Sequence, residues 1–293
     1  MAKGAEIMGR VSFLPIAGKA MAGVFVVLAV SAGAHLHVAH AETPSAEKTP
    51  PAADQFLRET SSETAETSVS IDTRLLEEPV LGARLVSGSV EGAKALEASA
   101  VQDAADAPEF FRTYMSNEDW RVTHETKTYL SALGTRWLFT GGAHGNSGFS
   151  SVIWEKPQAG RMGREVDVAS FFRNGASADA EIWPLLSTFL YDAWEREWEA
   201  RTGESVTVSG QGWHVDAQKT LAQPAPSDMA SVVTLVPSTE SGKAGGLAFH
   251  FAPYELGPYA MGTFSFTVPQ QVFRAHLTVE ATELFGGDAL TND

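Results

Sequence analysis

Two stretches near the end of the chain alternate between apolar and polar side chains with a period of two residues. The apolar members are Leu247, Phe249 and Phe251 in the first stretch and Phe264, Phe266 and Val268 in the second. Because successive side chains of a β-strand point to opposite faces, this pattern predicts two half-buried strands. Between them, residues 253–259 contain two prolines and a glycine. This segment is therefore predicted to be a rigid loop.

A helical pattern runs through residues 182–201 and ends before Gly203. Its apolar side chains recur every three to four residues, as they do along one face of an α-helix. They are Ile182, Leu185, Leu186, Phe189, Leu190 and Ala193. We expect this stripe to pack on the phenylalanine face of the two strands. Trp194 and Trp198, one turn apart, fit core packing better than stacking on a glycan.

The remaining pattern predicts an α+β fold. Residues 119–155 alternate in short runs that predict a β-meander, with a glycine-rich turn at residues 141–148. Further strands are predicted near residues 69–73, 80–86, 206–215 and 232–236, and an alanine-rich helix at residues 91–105. We predict an antiparallel β-sheet with a long helix packed on one face, plus a smaller N-terminal α+β lead-in. The lead-in is assigned to residues 68–118, the main domain to residues 119–285 and a frayed tail to residues 286–293.

The N-terminal segment has the features of a signal peptide. Lys3, Arg10 and Lys19 precede an apolar run at residues 20–34, and residues 39–41 read Ala-His-Ala. A small residue on either side of a variable one is the usual cleavage signal, so we expect cleavage after Ala41 and an extracytoplasmic mature protein. An uncleaved anchor is the alternative, but it would place Lys19 inside the bilayer. Residues 42–67 are rich in Glu, Thr, Ser, Pro and Ala, which predicts a disordered linker.

Charge and composition narrow the classes of function. The chain has 21 Lys and Arg against 36 Asp and Glu, and it has no cysteine. Removing residues 1–41 would leave 18 basic and 35 acidic residues, a net charge of -17. Such a chain repels nucleic acid and anionic lipid and attracts cationic partners, although high charge also serves solubility alone. We therefore expect no nucleic-acid partner and no membrane contact after signal cleavage.

Two motifs carry a resemblance to a known family. Residues 249–260 read FHFAPYELGPYA and are followed by Gly262, and residues 140–146 read TGGAHGN. Residues 120–277, which contain both motifs, resemble the C-terminal domain of RsiV, the lysozyme-responsive anti-sigma factor. A related domain of unknown function occurs outside the catalytic domain of PdaC-like peptidoglycan deacetylases. The resemblance implies a lysozyme-like basic protein or peptidoglycan as partner.

The resemblance does not extend to anti-sigma activity. RsiV-like proteins have a cytoplasmic sigma-binding segment before the membrane span. Only about 19 residues precede the apolar run here, which is too few for such a segment. We therefore expect an exported binding domain and no anti-sigma activity.

Four residues are candidates for ligand binding: Tyr254, Glu255, Tyr259 and His144. Tyrosines on a rigid loop offer contact area and a hydroxyl group at low entropic cost, which suits recognition of proteins or sugars. They could equally close one end of the core. His144, flanked by glycines, is open to ligands and can exchange a proton near neutral pH, but a structural brace of its turn is the favoured alternative.

Catalytic and metal signatures are incomplete, so we predict no catalytic residues, no metal site and no cofactor. His124 and Glu125 lack the second histidine of the HExxH zinc motif, and residues 145–148 do not match the G-x-S-x-G nucleophile elbow. The five histidines beyond residue 41 show no ligand spacing. Two alternatives stay open: a cell-wall or glycan hydrolase using His144 and Glu255 as acid and base, and a structural envelope protein.

Overall fold

A computed structural model describes residues 55–222 and 232–290. These residues lie in one compact unit, Ala53–Asp293. The predicted signal peptide and residues 42–54 of the predicted linker fall outside the described residues. The fold is α+β, as predicted, with two β-sheets rather than one. No helix in the described part of the chain has the length and apolarity needed to cross a membrane.

The first sheet has six strands that follow one another in sequence order. They are β1 (Gln55–Ser61), β2 (Ala65–Asp72), β3 (Tyr114–Glu125), β4 (Tyr129–Phe139), β5 (Asn146–Glu155) and β6 (Arg164–Glu165). All neighbours are antiparallel except β2 and β3, which are parallel. A parallel pair needs a crossover, and here it is made by the short helix α1 (Thr73–Leu76) and by α2 (Pro79–Asp106).

The second sheet is an antiparallel meander of β7 (Val233–Pro237), β8 (Ala244–Phe251) and β9 (Phe264–Pro269). The helices near it are α3 (Ile182–Thr202), α4 (Val206–Ser209), α5 (Gln211–Ala222), α6 (Gln270–Phe273) and α7 (Val279–Thr282). Short 3-10 helices cover Val168–Phe171, Tyr259–Met261 and Arg274–His276. Within β8 and β9, Leu247, Phe249, Phe251, Phe264, Phe266 and Val268 are all buried, as their alternation predicts.

Helix α3 lies close to the predicted limits and packs in the same core as β8 and β9. It ends at Gly203, whose φ of 75° places it in the left-handed region that glycine adopts without strain. The buried face is rotated relative to the predicted stripe. It consists of Ile182, Trp183, Leu186, Leu190, Trp194 and Trp198, whereas Leu185, Phe189 and Ala193 are only partly buried. The three large indoles bury more area than the residues they displace.

Serine side chains join the two sheets. Strand β7 is at one edge of the second sheet, where alternate backbone N–H groups point away from β8. The N–H of Leu235 donates to Ser131 Oγ at 2.9 Å, and the N–H of Val233 donates to Ser151 Oγ at 3.0 Å. Because both serines belong to the first sheet, this edge is covered and its donors are satisfied.

Three N-terminal assignments are wrong. Residues 55–67 of the predicted linker form β1 and the start of β2, because these mostly polar strands gain partners in a sheet and Phe56 pairs with Ile71. Residues 80–86 are helical, since Pro79 opens α2 and the buried Leu81 and Leu85 lie one turn apart. The boundary placed between residues 118 and 119 falls inside β3, which runs unbroken across it.

Two further assignments toward the C-terminus are wrong. Residues 206–215 form α4 and the first part of α5 rather than a strand, because Val206 is buried in the core beside α3 whereas Val208 and Val215 are exposed. Residues 286–290 of the predicted frayed tail pack against the second sheet. The N–H of Leu290 donates to Pro237 O at 2.9 Å, and Ala289 forms a bridge with Ser238.

Candidate functional site

Two loops from different sheets meet at one edge of the molecule. The β4–β5 hairpin of the first sheet carries His144, and the connection between β8 and β9 of the second sheet carries Tyr254 and Tyr259. The hairpin turn is rich in glycine, and Gly141 has a φ of 86° that other residues rarely adopt. The tight turn places His144 at its exposed end.

His144, Tyr254 and Tyr259 form a stacked cluster, called here the aromatic platform. The His144 and Tyr259 rings lie 3.8 Å apart between centroids at an angle of 23°. The Tyr254 ring lies 6.3 Å from His144 and 5.7 Å from Tyr259, and both pairs are within about 35° of parallel. The structure therefore brings together three of the four candidate residues, although His144 and Tyr254 are 110 positions apart in the sequence.

Hydrogen bonds orient the imidazole of His144. Its Nδ1 lies 2.8 Å from the carbonyl oxygen of Gly145, which can only accept, so Nδ1 carries the proton in the neutral ring. Nε2 is then an acceptor, and the hydroxyl of Tyr254 lies 3.3 Å from it. The platform thus has a defined tautomer, and Tyr254 and His144 hold each other in place.

Tyr254 is held in a strained backbone conformation. Its φ of 74° lies in the left-handed region, and 49% of the residue is exposed. A large side chain in this region costs of order 1–3 kcal/mol and persists only where the surroundings impose it. Neither burial of its own ring nor local preference accounts for the conformation, so the rest of the loop must impose it.

Helix α3 holds that loop at two points. The indole Nε1 of Trp194 donates to the carbonyl oxygen of Leu256 at 2.8 Å, and both residues are fully buried. The guanidinium of Arg201 donates to the carbonyl oxygen of Met261 at 2.6 Å and lies 4.2 Å from the Phe264 ring centroid. The rigidity predicted from the prolines is thus supplemented by tertiary anchors.

The carboxylate of Glu255 is directed to its own turn and is not part of the aromatic platform. Its carboxylate accepts a hydrogen bond from the backbone N–H of Ala252 at 2.6 Å, so it braces its own turn. Although the residue as a whole is exposed, desolvation of the carboxylate raises the pKa of Glu255, and the hydrogen bond from Ala252 opposes that rise. No hydrogen bond joins Glu255 to His144 among the described residues.

Trp137 on β4 extends the aromatic surface and was missed by sequence reasoning. It is 37% exposed, and its ring is stacked with Phe139 at 6.4 Å between centroids. A Cβ atom at Gly145 would lie 2.3 Å from this indole, so the glycine lets Trp137 pack against the hairpin beside His144. A tryptophan four residues before the glycine-rich turn is the sequence signal that could have identified it.

The other histidines each have a separate environment. His124 Nε2 lies 2.8 Å from the carbonyl oxygen of Lys243, and His214 Nδ1 lies 2.5 Å from the hydroxyl of Tyr191. His250 contacts two hydroxyl groups of the second sheet. Within residues 55–222 and 232–290, no group of three or more His, Asp or Glu side chains is arranged to hold a metal ion.

Comparison with known proteins finds a family match that covers the loop between β8 and β9. Residues 237–271 match the family described as "Protein of unknown function (DUF3298)". This segment contains Tyr254, Glu255 and Tyr259 but not His144, and it is shorter than the resemblance inferred from sequence. No curated protein matches the chain.

Two solved structures that are described as DUF3298 family members match this chain. A member of the DUF3298 family from Bacteroides fragilis NCTC 9343 is 14% identical, covers 79% of this chain and 96% of its own, and has a TM-score of 0.51. A DUF3298 family protein from Pseudomonas aeruginosa PAO1 is 15% identical, covers 80% and 95%, and has a TM-score of 0.46. The first of these similarities supports a shared fold.

Proposed function

We propose that this chain is a non-catalytic binding domain that recognises its partner through the aromatic platform. One observation carries the proposal: three aromatic rings from two distant loops are stacked at the surface with Tyr254 strained and half exposed. Stored backbone strain and an exposed tyrosine are both typical of recognition sites. Because Trp194 and Arg201 already hold the loop, little conformational entropy is lost when a partner binds.

The charge of the chain favours a basic protein as that partner. The full sequence has a net charge of -15, so its field attracts cationic proteins and accelerates their encounter with the platform. The resemblance to RsiV-like domains indicates a lysozyme-like protein. Peptidoglycan is the other partner implied by that resemblance, but its recognition would draw no benefit from the acidic charge.

The arrangement of the candidate residues supports binding over hydrolysis. A hydrolase built on His144 and Glu255 needs both groups to face one substrate bond. Here the carboxylate of Glu255 is held by the Ala252 N–H, and the accepting nitrogen of His144 faces the hydroxyl of Tyr254. Each group is engaged by the loops themselves.

We also propose export of the chain, on the basis of the N-terminal apolar run and the Ala-His-Ala sequence before Glu42. Protein isolated from its native compartment should begin at Glu42, and intact mass spectrometry measures this directly. A full-length species as the main form would contradict cleavage.

The platform is tested by replacing Tyr254 with alanine. We expect the dissociation constant for lysozyme to rise by about thirtyfold, since an aromatic hot spot contributes about 2 kcal/mol or more. Isothermal titration calorimetry at low and high salt measures this, and binding of the wild type should weaken as salt screens the acidic field. Peptidoglycan fragments are titrated in parallel.

Phe110→Ala is the matched control, because Phe110 is an 84% exposed aromatic residue outside the platform. It should leave affinity unchanged. Circular dichroism and the melting temperature confirm that both variants are folded. Equal affinity of the folded Tyr254→Ala variant and the wild type would refute the role of the platform. Absence of binding to both probes would favour the structural envelope protein.

A further inference from the structure

The two faces of the first sheet differ in what covers them. Helix α2 packs on one face, where the hydroxyl of Ser89 donates to Glu118 and the ring of Trp120 lies in the core. Side chains that alternate with Glu118 and Trp120 along β3 point to the other face. Strand β7 contacts that face beside Ser131 and Ser151. The exposed part of the same face is called here the open face, and it carries Leu57, Glu59, Glu66, Met115, Asn117 and Trp137.

Cross-strand pairing aligns the side chains of the open face in rows. The central row runs from β1 to β5 through Glu59, Ser68, Asn117, Trp137 and Ser147, each paired with the next. The side-chain amide of Asn117 donates to Ser68 Oγ at 3.0 Å, as expected of neighbours that point the same way. Because adjacent strands lie about 4.8 Å apart, the row spans roughly 19 Å.

The open face exposes large apolar side chains. Trp137 is 37% exposed, Met115 is 36% exposed and Leu57 is 47% exposed. Trp137 stacks on Phe139, and Met115 is the cross-strand neighbour of Phe139, so these three side chains are contiguous. Contiguous exposed apolar surface on a folded domain, especially with polar residues at its rim, is typical of a protein interaction site.

The charge of the open face is unbalanced and negative. Glu59 and Glu66 are exposed, and neither forms an ion pair with another described residue. Arg121 is the only lysine or arginine that points to this face from strands β1 to β5, and its guanidinium lies 2.6 Å from the carboxylate of Asp119. Two carboxylates beside an apolar strip favour a basic partner and disfavour an acidic one.

The open face adjoins the aromatic platform. The indole of Trp137 packs against Gly145, the residue that follows His144 in the hairpin. On the same side of the first sheet, the ring centroid of Phe149 lies 5.8 Å from that of His250 on the second sheet. The platform and the open face are therefore neighbouring parts of one surface.

The platform alone is too small to bind a protein. A specific protein interface contains about 20–30 residues on each side, whereas the platform has three. We infer that the open face is the second part of the docking surface for a basic protein, with Trp137 between the platform and the carboxylates of Glu59 and Glu66. This inference rests on the proposed function, because it takes the same partner.

Reversing one charge on the open face tests the electrostatic part of the inference. Lysozyme, the basic probe used above, is titrated into the whole mature protein by isothermal titration calorimetry. Glu66→Lys should raise the dissociation constant about tenfold, since a like charge then faces the partner, and the increase should shrink at high salt. Glu91→Lys is the matched control. Glu91 is exposed on α2, which covers the other face of the sheet, so this variant has the same net charge and should bind as the wild type does.

Removing the indole of Trp137 tests the apolar part. Trp137→Ala should raise the dissociation constant for lysozyme by about thirtyfold, as expected of an aromatic hot spot. The imidazole resonances of His144, followed by nuclear magnetic resonance, show whether the platform keeps its geometry in this variant. Circular dichroism confirms the fold of every variant. If the His144 resonances move, Glu66→Lys decides the outcome, because Glu66 lies on β2 and does not belong to the platform.

The inference and the proposed function fail in different ways. Wild-type affinity in Trp137→Ala and Glu66→Lys, together with weakened binding in Tyr254→Ala, would overturn the open face and leave the platform in place. Equal weakening in Glu66→Lys and Glu91→Lys would assign the electrostatic effect to total charge and not to this face. A dimer of the free protein that Trp137→Ala dissociates would show that a second copy covers the face. Absence of lysozyme binding by the wild type would overturn both proposals.

Discussion

Replacing Phe264 with alanine should lower the free energy of unfolding by about 3–5 kcal/mol. Phe264 is 1% exposed and lies at the start of β9, in the core shared with α3. Truncation removes its packing area, leaves a cavity and takes away the ring over which the Arg201 guanidinium lies. Urea unfolding followed by circular dichroism measures the change.

The same chemical change at an exposed position is the control. Phe110 is 84% exposed, so Phe110→Ala should alter the free energy of unfolding by no more than about 0.5 kcal/mol. A Phe264→Ala variant with the wild-type melting temperature would contradict the packing of α3 against the second sheet. A loss of platform binding in this variant is also expected, because Arg201 holds the loop at Met261.

Replacing Trp194 with alanine should be equally damaging, at about 3–5 kcal/mol. The side chain is fully buried, packs edge-on against Trp198 at 5.7 Å between centroids, and holds the loop through Leu256. Trp194→Phe separates these roles, because it keeps an aromatic ring and removes the donor. It should cost about 1–3 kcal/mol, since the buried carbonyl oxygen of Leu256 loses its partner.

Hydrogen exchange in the loop tests whether the hydrogen bond from Trp194 to Leu256 positions the loop. Hydrogen exchange at the amides of residues 254–257 should accelerate in Trp194→Phe, because local opening becomes easier when an anchor is lost. Trp120→Phe is the matched control, because Trp120 is a buried tryptophan of the first sheet whose indole donates to Glu118 in the other hydrophobic core, and it should leave those amides unchanged. Wild-type stability and wild-type exchange in Trp194→Phe would show that the hydrogen bond does not position the loop.

Elements with a strong local pattern could be predicted from the sequence. Strands β8 and β9 and the helix ending at Gly203 lie close to their predicted positions, because side-chain period and a left-handed glycine are properties of the local chain. The loop between the strands could also be located, since prolines restrict the backbone wherever they occur. The α+β class followed from these elements.

Elements that depend on distant partners could not be predicted. Strand β1 is mostly polar and is held by pairing with β2, and by Arg58, which contacts Glu97 on α2 at 3.0 Å. The valines of residues 206–215 have high strand propensity, but burial of Val206 beside α3 outweighed it. Propensity is a weak local preference, and tertiary burial routinely exceeds it.

The sequence by itself determined which residue types were available for a site: two tyrosines on a proline-stiffened loop and a histidine in a glycine-rich turn. Only the tertiary structure decided that His144 stacks on Tyr259, that Glu255 braces its own turn and that His250 lies between the hydroxyl groups of Thr234 and Ser265. The physical reason is the length scale of each effect. Backbone preferences act over a few residues, whereas ring stacking and desolvation depend on side chains that folding brings together from separate sheets.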